Sequence, residues 1–315
     1  MDNYFLYFFR WGYYNEKPKE GGLMKMLKGY LCAVLSAVIY GLMPLMASHI
    51  YADGVNAMTL VFLRNFLALP ALAILAFCQQ KTLKVPVKSL GGMAFLAAFG
   101  CCITPVLLFS SYHYIPSGTA TTIHFVYPAM VVLIGILFLK KKAQLGTVLS
   151  LLLCVGGICL FYKPGAEFHW GGAGMAFASG VTFAVYVSTL AIFRSEKVAG
   201  FLFTFYIALC SSVMMAVTCL ATGNLALPQS LTGWAWCLLF ALGVTTGAVV
   251  LFQQGTFLIG AERASILSTF EPITSVVAGV LFLNETIGPR DYVGAALVIA
   301  ASVLIAVFDM KKREA

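Results

Sequence analysis

The chain has 315 residues, 61% of them hydrophobic and only 10% charged, with a formal net charge of +8. A soluble domain carries about 25% charged residues, so an ordinary soluble fold is excluded. The apolar runs continue for about 20 residues without the alternation of a barrel strand, which leaves an all-α, polytopic membrane protein.

In chain order, residues 1–23 stand apart. They are aromatic-rich (Tyr4, Phe5, Tyr7, Phe8, Phe9, Trp11, Tyr13, Tyr14) and then polar. They lack the basic start and small-residue cleavage site of a signal peptide. They read either as an interfacial anchor or as a stretch upstream of the physiological start. The second reading is favoured, because a start at Met24 or Met26 leads straight into the first apolar run. Ten spans are then predicted, at 29–49, 56–78, 89–111, 117–139, 144–162, 171–193, 198–221, 232–257, 262–284 and 290–308. Connections are short, so no soluble module is expected. The nine cysteines lie inside apolar runs and form no C-x-x-C pair. They read as packing residues, not as a disulfide framework or metal site, and no cofactor is implied.

Lysine and arginine placement sets the expected orientation. With a cytoplasmic amino terminus, 17 of the 20 basic residues fall inside, among them Lys81, Lys84, Lys88, the run Lys140 to Lys142, Arg194, Lys197 and Arg263. Only Lys163 and Arg290 fall outside, and Arg64 lies within a span. Both termini are expected in the cytoplasm. The positive charge belongs to these loops, so it is not a nucleic-acid signal.

The chain repeats itself. Ile115 to Lys141 aligns without a gap on Ile259 to Glu285 at a shift of 144, with Ala120 on Ala264, Pro128 on Pro272, Val132 on Val276 and Gly135 on Gly279. The first span echoes the sixth more weakly, with Gly29, Ala33, Ser36 and Val38 on Gly172, Ala176, Ser179 and Val181 at a shift of 143. The expected units are 24–163 and 164–315, five spans each, the second ending in a basic tail. Five is odd, so the second unit is inverted relative to the first. Inverted repeats place a substrate site near the midplane between the halves and supply a route to alternating access.

These features together resemble the EamA type of the drug/metabolite transporter superfamily. The resemblance rests on the two five-span repeats and on Arg64-Asn65-Phe66-Leu67-Ala68 in the second span. It rests also on Glu271-Pro272 followed by Leu281-Phe282-Leu283-Asn284-Glu285-Thr286 in the ninth. The first copy departs from the pattern, with Lys141 where the second has Glu285. The resemblance implies a basket of eight helices around a central cavity, with helices five and ten peripheral. It also implies a proton-coupled or exchange-type carrier, many such proteins exporting amino acids and other small metabolites.

Glu271 leads the candidate residues. It lies roughly 14 Å from the cytoplasmic end of its span, where a carboxylate needs a proton or a partner. It could carry a coupling proton or meet a cationic group, or it could only bond a neighbouring helix. Pro128 and Pro272 each remove a helical hydrogen bond and release the carbonyls of His124 and Ser268, predicting kinks at a cavity wall. Tyr127 is the positional counterpart of Glu271. His124 could relay protons, but a satisfied packing role is the commoner fate of a lone histidine. Arg64, roughly 12 Å inside the second span, could neutralise an anionic substrate, pair with Glu271 or snorkel outward. Gln253, Gln254, Tyr40 and Tyr186 are further candidate linings or interhelical hydrogen bonds. Gly243-x-x-x-Gly247 reads as a close-packing motif.

Two rival classes are weaker. A membrane-embedded enzyme would need paired aspartates, a Ser–His pair or H-E-x-x-H within spans. Asp53, Asp291 and Asp309 lie outside or at span ends, and no H-E-x-x-H occurs. A channel would favour rings of like charge. The sequence therefore reads as a multi-pass plasma-membrane carrier of a bacterium, not an enzyme. Its partners are the lipid bilayer, a small metabolite and protons, with export favoured over import or exchange.

Overall fold

Continuous apolar stretches fold as helices because only a helix satisfies its own backbone in lipid. The computed structural model describes residues 23–80, 83–139, 145–160, 169–193, 200–259, 264, 267–284 and 288–314, and every regular element among the described residues is helical. Segment 1–22, Lys81, the lysines at 140–142, Lys163, Arg194, Lys197, Arg263, Glu285 and Thr286 lie outside the described residues.

The first half comprises α1 (Leu23–Gly41), α2 (Met43–Ala52), α3 (Ala57–Phe66), α4 (Leu69–Gln80), α5 (Val87–Leu96), α6 (Thr104–Ser111), α7 (Ser117–His124), α8 (Tyr127–Leu139) and α9 (Leu145–Leu160). The second comprises α10 (Trp170–Phe193), α11 (Gly200–Thr222), α12 (Leu231–Phe240), α13 (Val249–Ile259), α14 (Phe270–Phe282) and α15 (Pro289–Glu314). Among the described residues, six stretches are long and apolar enough to cross a membrane: Met26–Ala52, Ala57–Gln79, Val87–Ser111, Trp170–Leu190, Gly200–Thr222 and Leu231–Gly255. Residues Phe270–Phe282 and Tyr292–Ala301 are shorter apolar helices.

The surface is that of a protein in lipid. Leu31, Leu35, Ile74, Phe77, Leu220 and Leu231 are exposed, while Ala33, Ser36, Ala37 and Ala47 are fully buried. Lipid tails are as apolar as leucine, so large side chains gain little by turning inward, and small ones let helices approach.

Proline interrupts several spans. Helix α2 opens with Pro44 in its first turn, and α7 ends four residues before Pro128. Two π-helical turns, not anticipated from sequence, interrupt the apolar stretches Val87–Ser111 and Leu231–Gly255 at Ala97–Ile103 and Ala241–Ala248. Their starting residues are themselves 144 apart. In the first turn, the Thr104 hydroxyl donates to the Phe99 carbonyl at 2.7 Å and so satisfies a widened turn. A Cβ added at Gly243 would meet open space and one at Gly247 only Leu242 of its own helix, so among the described residues no other helix closes on this expected packing motif.

Two long antiparallel pairings organise the bundle. In one, Gly29 packs on Ile259, Gly255 lies against Ala33, and the Ser36 hydroxyl donates to the Ala248 carbonyl at 2.8 Å. The same pairing ends with His49 stacked on Trp236, ring centroids 4.5 Å apart. In the other, Gly172 packs on Ile115, Thr182 and Thr104 hydroxyls meet at 2.7 Å, and Tyr186 lies flat on Gly100. Gly29–Ile259 and Gly172–Ile115 are the same pair under the sequence repeat, and they occur at opposite ends of the bundle. Helices α9 and α15 pack mainly on each other, with Gly157 set close to the Gly294 carbonyl.

Candidate functional site

The site is built where the chain breaks between α7 and α8 and at the start of α14. In α7 every residue is buried. Pro128 has no N–H for the His124 carbonyl, so the chain tightens into a turn. The Phe125 amide donates to the Thr121 and Thr122 carbonyls (3.0 and 3.1 Å) and the Val126 amide to that of Ile123 (3.1 Å). Helix α8 then starts afresh at Tyr127. The His124 carbonyl faces Gly180 of α10, where an added Cβ would come within 2.6 Å of it.

The second break uses its released carbonyl differently. Ser268 accepts from the Glu271 amide at 2.9 Å, so this carbonyl is not left free. Glu271 falls in the first turn of α14, where the unsatisfied amides of a helix start favour a negative charge. A Cβ on Gly41 would reach within 2.6 Å of the Glu271 carbonyl, so α1 approaches this break as closely as α10 approaches the other. The two spans meet at the breaks, where the Ser275 hydroxyl donates to that of Thr121 at 3.1 Å.

Glu271 is 8% exposed and Arg64 6%. Arg64 therefore does not snorkel. Its guanidinium carbon lies 5.9 Å from the centre of the Phe109 ring, its side chain bonds to Cys101, and its Nε is buried without a partner. No ion pair joins Arg64 to Glu271 among the described residues. Both act electrostatically on the Tyr40 hydroxyl, which also has Tyr186 and Cys101 as polar neighbours. Tyr127 is close enough to feel Glu271, and its hydroxyl bonds to the Ser268 side chain. Seven of the eight expected polar residues thus gather here. Tyr186 bonds to Gln253, whose Oε1 accepts from Thr204 at 3.1 Å and whose Nε2 has no partner. Gln254 is half-buried and joins none of these contacts.

His124 is a satisfied group. Its Nδ1 lies 2.8 Å from the Ser179 hydroxyl, which itself donates to the Ala176 carbonyl at 2.6 Å. A carbonyl only accepts, so the serine proton is committed there and Nδ1 carries the imidazole proton. The ring is tilted against Tyr127 and Phe183, at 5.9 and 5.4 Å. Phe183 continues to Tyr186 at 5.6 Å, forming one aromatic wall along α10.

Sequence reasoning missed Phe183, Cys101, Gly100 and the part played by the Ser268 side chain, whose carbonyl alone was considered. Ser179 had a signal in its match to Ser36, and Gly100 none. A Cβ at Gly100 would overlap the Tyr186 ring, so only glycine admits that ring at this π turn. No cluster of metal-ligating side chains is present among the described residues. Chemically, the arrangement can hold a proton on a buried carboxyl and offer separate charged groups to a ligand.

The sequence profile of the EamA-like transporter family matches the chain twice, over residues 27–163 and 170–307. An uncharacterized transporter of Archaeoglobus fulgidus is 28% identical over 283 residues, covering 89% of this chain and 97% of the relative. The uncharacterized transporter YetK of Bacillus subtilis is 21% identical over 316 residues, covering 94% and 92%. A protein of known crystal structure shares the fold, with a TM-score of 0.62 at 17% identity over 91% of this chain and 99% of that one.

Proposed function

Because the chain belongs to the EamA-like transporter family, we propose that this multi-pass membrane transporter is a proton-coupled carrier of a small zwitterionic metabolite such as an amino acid. One observation carries the reading. Glu271 and Arg64 are opposite charges, both more than nine-tenths buried, and they act on a common tyrosine without pairing with each other. Buried charges are normally paired. A solute with an ammonium group for Glu271 and a carboxylate for Arg64 supplies both partners, and a proton on Glu271 replaces the ammonium once the solute leaves. The aromatic wall of Tyr127, Phe183 and Tyr186 gives the apolar part of that solute a surface.

In this reading the halves 24–163 and 164–315 are inverted five-helix repeats, ten spans in all, with the site between them. The Gly29–Ile259 and Gly172–Ile115 contacts at opposite ends, and the matching π turns, support it. The lysine and arginine bias supports cytoplasmic termini in the plasma membrane, and export is the favoured direction.

The test is paired metabolite profiling of medium and cytosol. The host overproduces the wild-type chain or Glu271→Gln. A zwitterion that accumulates outside only with wild type is the expected result. Accumulation inside would reverse the direction. Equal profiles for wild type, variant and empty host, with protein present in the membrane, would overturn the reading.

A further inference from the structure

A buried polar atom without a partner is rare and calls for a reason. Among the described residues, four side chains more than nine-tenths buried carry one: Arg64 at Nε, Asn65 at Oδ1, Thr245 at Oγ1 and Gln253 at Nε2. They lie on two stretches. Arg64 and Asn65 fall in the last turn of α3, Thr245 in the second π turn, and Gln253 in α13, which continues that turn. Helix α3 packs against the second π turn. Such turns recur at functional sites. The widened turn does not by itself strand polar groups. At a shift of 144, Thr245 falls on Cys101 of the first π turn, and Cys101 is partnered by Arg64.

Gln253 is the member whose surroundings are best defined. Its Oε1 accepts from the Thr204 hydroxyl at 3.1 Å, which orients the amide, and its Nε2 is the unspent end. This amide stands at the far end of the aromatic wall. From Tyr127, which feels Glu271, the rings run to Phe183 at 4.8 Å and on to Tyr186 at 5.6 Å. Tyr186 then bonds to Gln253 and also feels the Arg64 charge.

We infer that Gln253 determines specificity: its Nε2 donates to an acceptor at the end of the solute's side chain. The solute is then a zwitterion with a hydroxyl, amide or sulfoxide oxygen there, and not an aliphatic or purely aromatic one. This rests on the carrier reading above, in which Glu271 and Arg64 take the ammonium and the carboxylate. A neutral oxygen suffices, because those two charges already match the solute's own. The discrimination is one-sided by nature. A buried donor rejects a solute that cannot accept, since the donor stays unpaired with its water gone, whereas an apolar pocket barely senses an added hydroxyl. Thr204 is a positioning residue, acting through the amide that it holds.

The test is counterflow in proteoliposomes with two near-isosteric pairs, threonine against valine and methionine sulfoxide against methionine. The sulfoxide accepts and cannot donate, so it isolates the acceptor. In at least one pair the wild type should favour the oxygen-bearing member about tenfold or more in kcat/KM. Gln253→Met should bring that ratio to about one, by raising the apolar member. Thr204→Val, a nearly isosteric change, guards against misfolding of the first variant. It releases the amide and should lower the same ratio about threefold. Thermal stabilisation of the purified wild type by the four solutes should follow the same order. Ratios near one for both pairs with brisk wild-type flux would overturn this inference alone. So would a preference that survives undiminished in either variant. If none of the four solutes moves, the zwitterion reading fails and takes this inference with it.

Discussion

The two helix breaks occupy matching places and do different things. Both put a helix start in the interior, and both are approached by a glycine from the other half, Gly180 on the His124 carbonyl and Gly41 on that of Glu271. At the first break the residue before proline is Tyr127, and the histidine one turn back is bonded to Ser179. At the second it is Glu271, and the serine at the histidine's place gives its carbonyl to the Glu271 amide. The repeat supplies geometry twice. Charge enters once, on the side where Tyr40 and Arg64 are close. In the proposed carrier, this difference is what would make a site between two similar halves directional.

The largest effect should come from removing it. Glu271→Gln keeps shape and one hydrogen-bonding oxygen, so the protein should still insert and fold. In proteoliposomes loaded with the solute that profiling identifies, pH-driven flux should fall about a hundredfold or more. Adding Tyr127→Glu to that chain should not restore it, because a carboxyl at the first break has Ser268 and the aromatic wall around it in place of the Tyr40 neighbourhood. Wild-type flux in either chain would erase the contrast.

The glycines sharpen the part that is shared. Gly41→Ala and Gly180→Ala each force a Cβ to within 2.6 Å of a carbonyl oxygen unless the helices separate. Overpacking of this kind costs about 1–3 kcal/mol. Similar losses of thermal stability are expected for both, with the larger loss of flux for Gly41→Ala because it displaces Glu271. A tolerated alanine at only one position would show that the breaks are not packed alike.

His124→Ala should act on stability more than on flux. It removes one buried hydrogen bond, worth about 1 kcal/mol, and leaves Ser179 its bond to Ala176. The pH profile of transport should keep its shape, and a lost acidic or alkaline limb would make the histidine a proton carrier.

The smallest effect is expected at Asp53. The Ser230 hydroxyl and amide, with the Gln229 amide, hold its carboxyl below the usual carboxylate range. A lowered value means its contribution is present above the ordinary value and is lost only as pH falls through the lowered one. The stability difference between wild type and Asp53→Ala should therefore not change between about pH 5 and pH 8. A difference that shrinks within that window would show that Ser230 and Gln229 do not hold the carboxyl low.

Much of the site was legible because rare residues in an apolar chain stand out. Glu271, Arg64 and the two prolines are costly in lipid, and a cost implies a use. Arg64 was open to three readings, since depth along a helix does not tell which way a flexible side chain turns. Its burial beside Phe109 and Cys101 decides this. Gln253 and Gln254 were equivalent as sequence, and only helix rotation separates the one bonded to Thr204 from the one beside it.

The sequence by itself determined a helical membrane protein, a twofold internal repeat and breaks at Pro128 and Pro272, because hydropathy, self-similarity and a missing N–H are local properties. Tertiary structure alone decided that Arg64 and Glu271 share a neighbour yet remain unpaired. It also decided that Tyr186 rests on Gly100, and that Asp53, Asn56 and Thr59 reach residues more than 160 positions away. Those facts depend on which helix faces meet, and in lipid that choice is made by close packing of small residues, which a hydrophobic pattern does not encode.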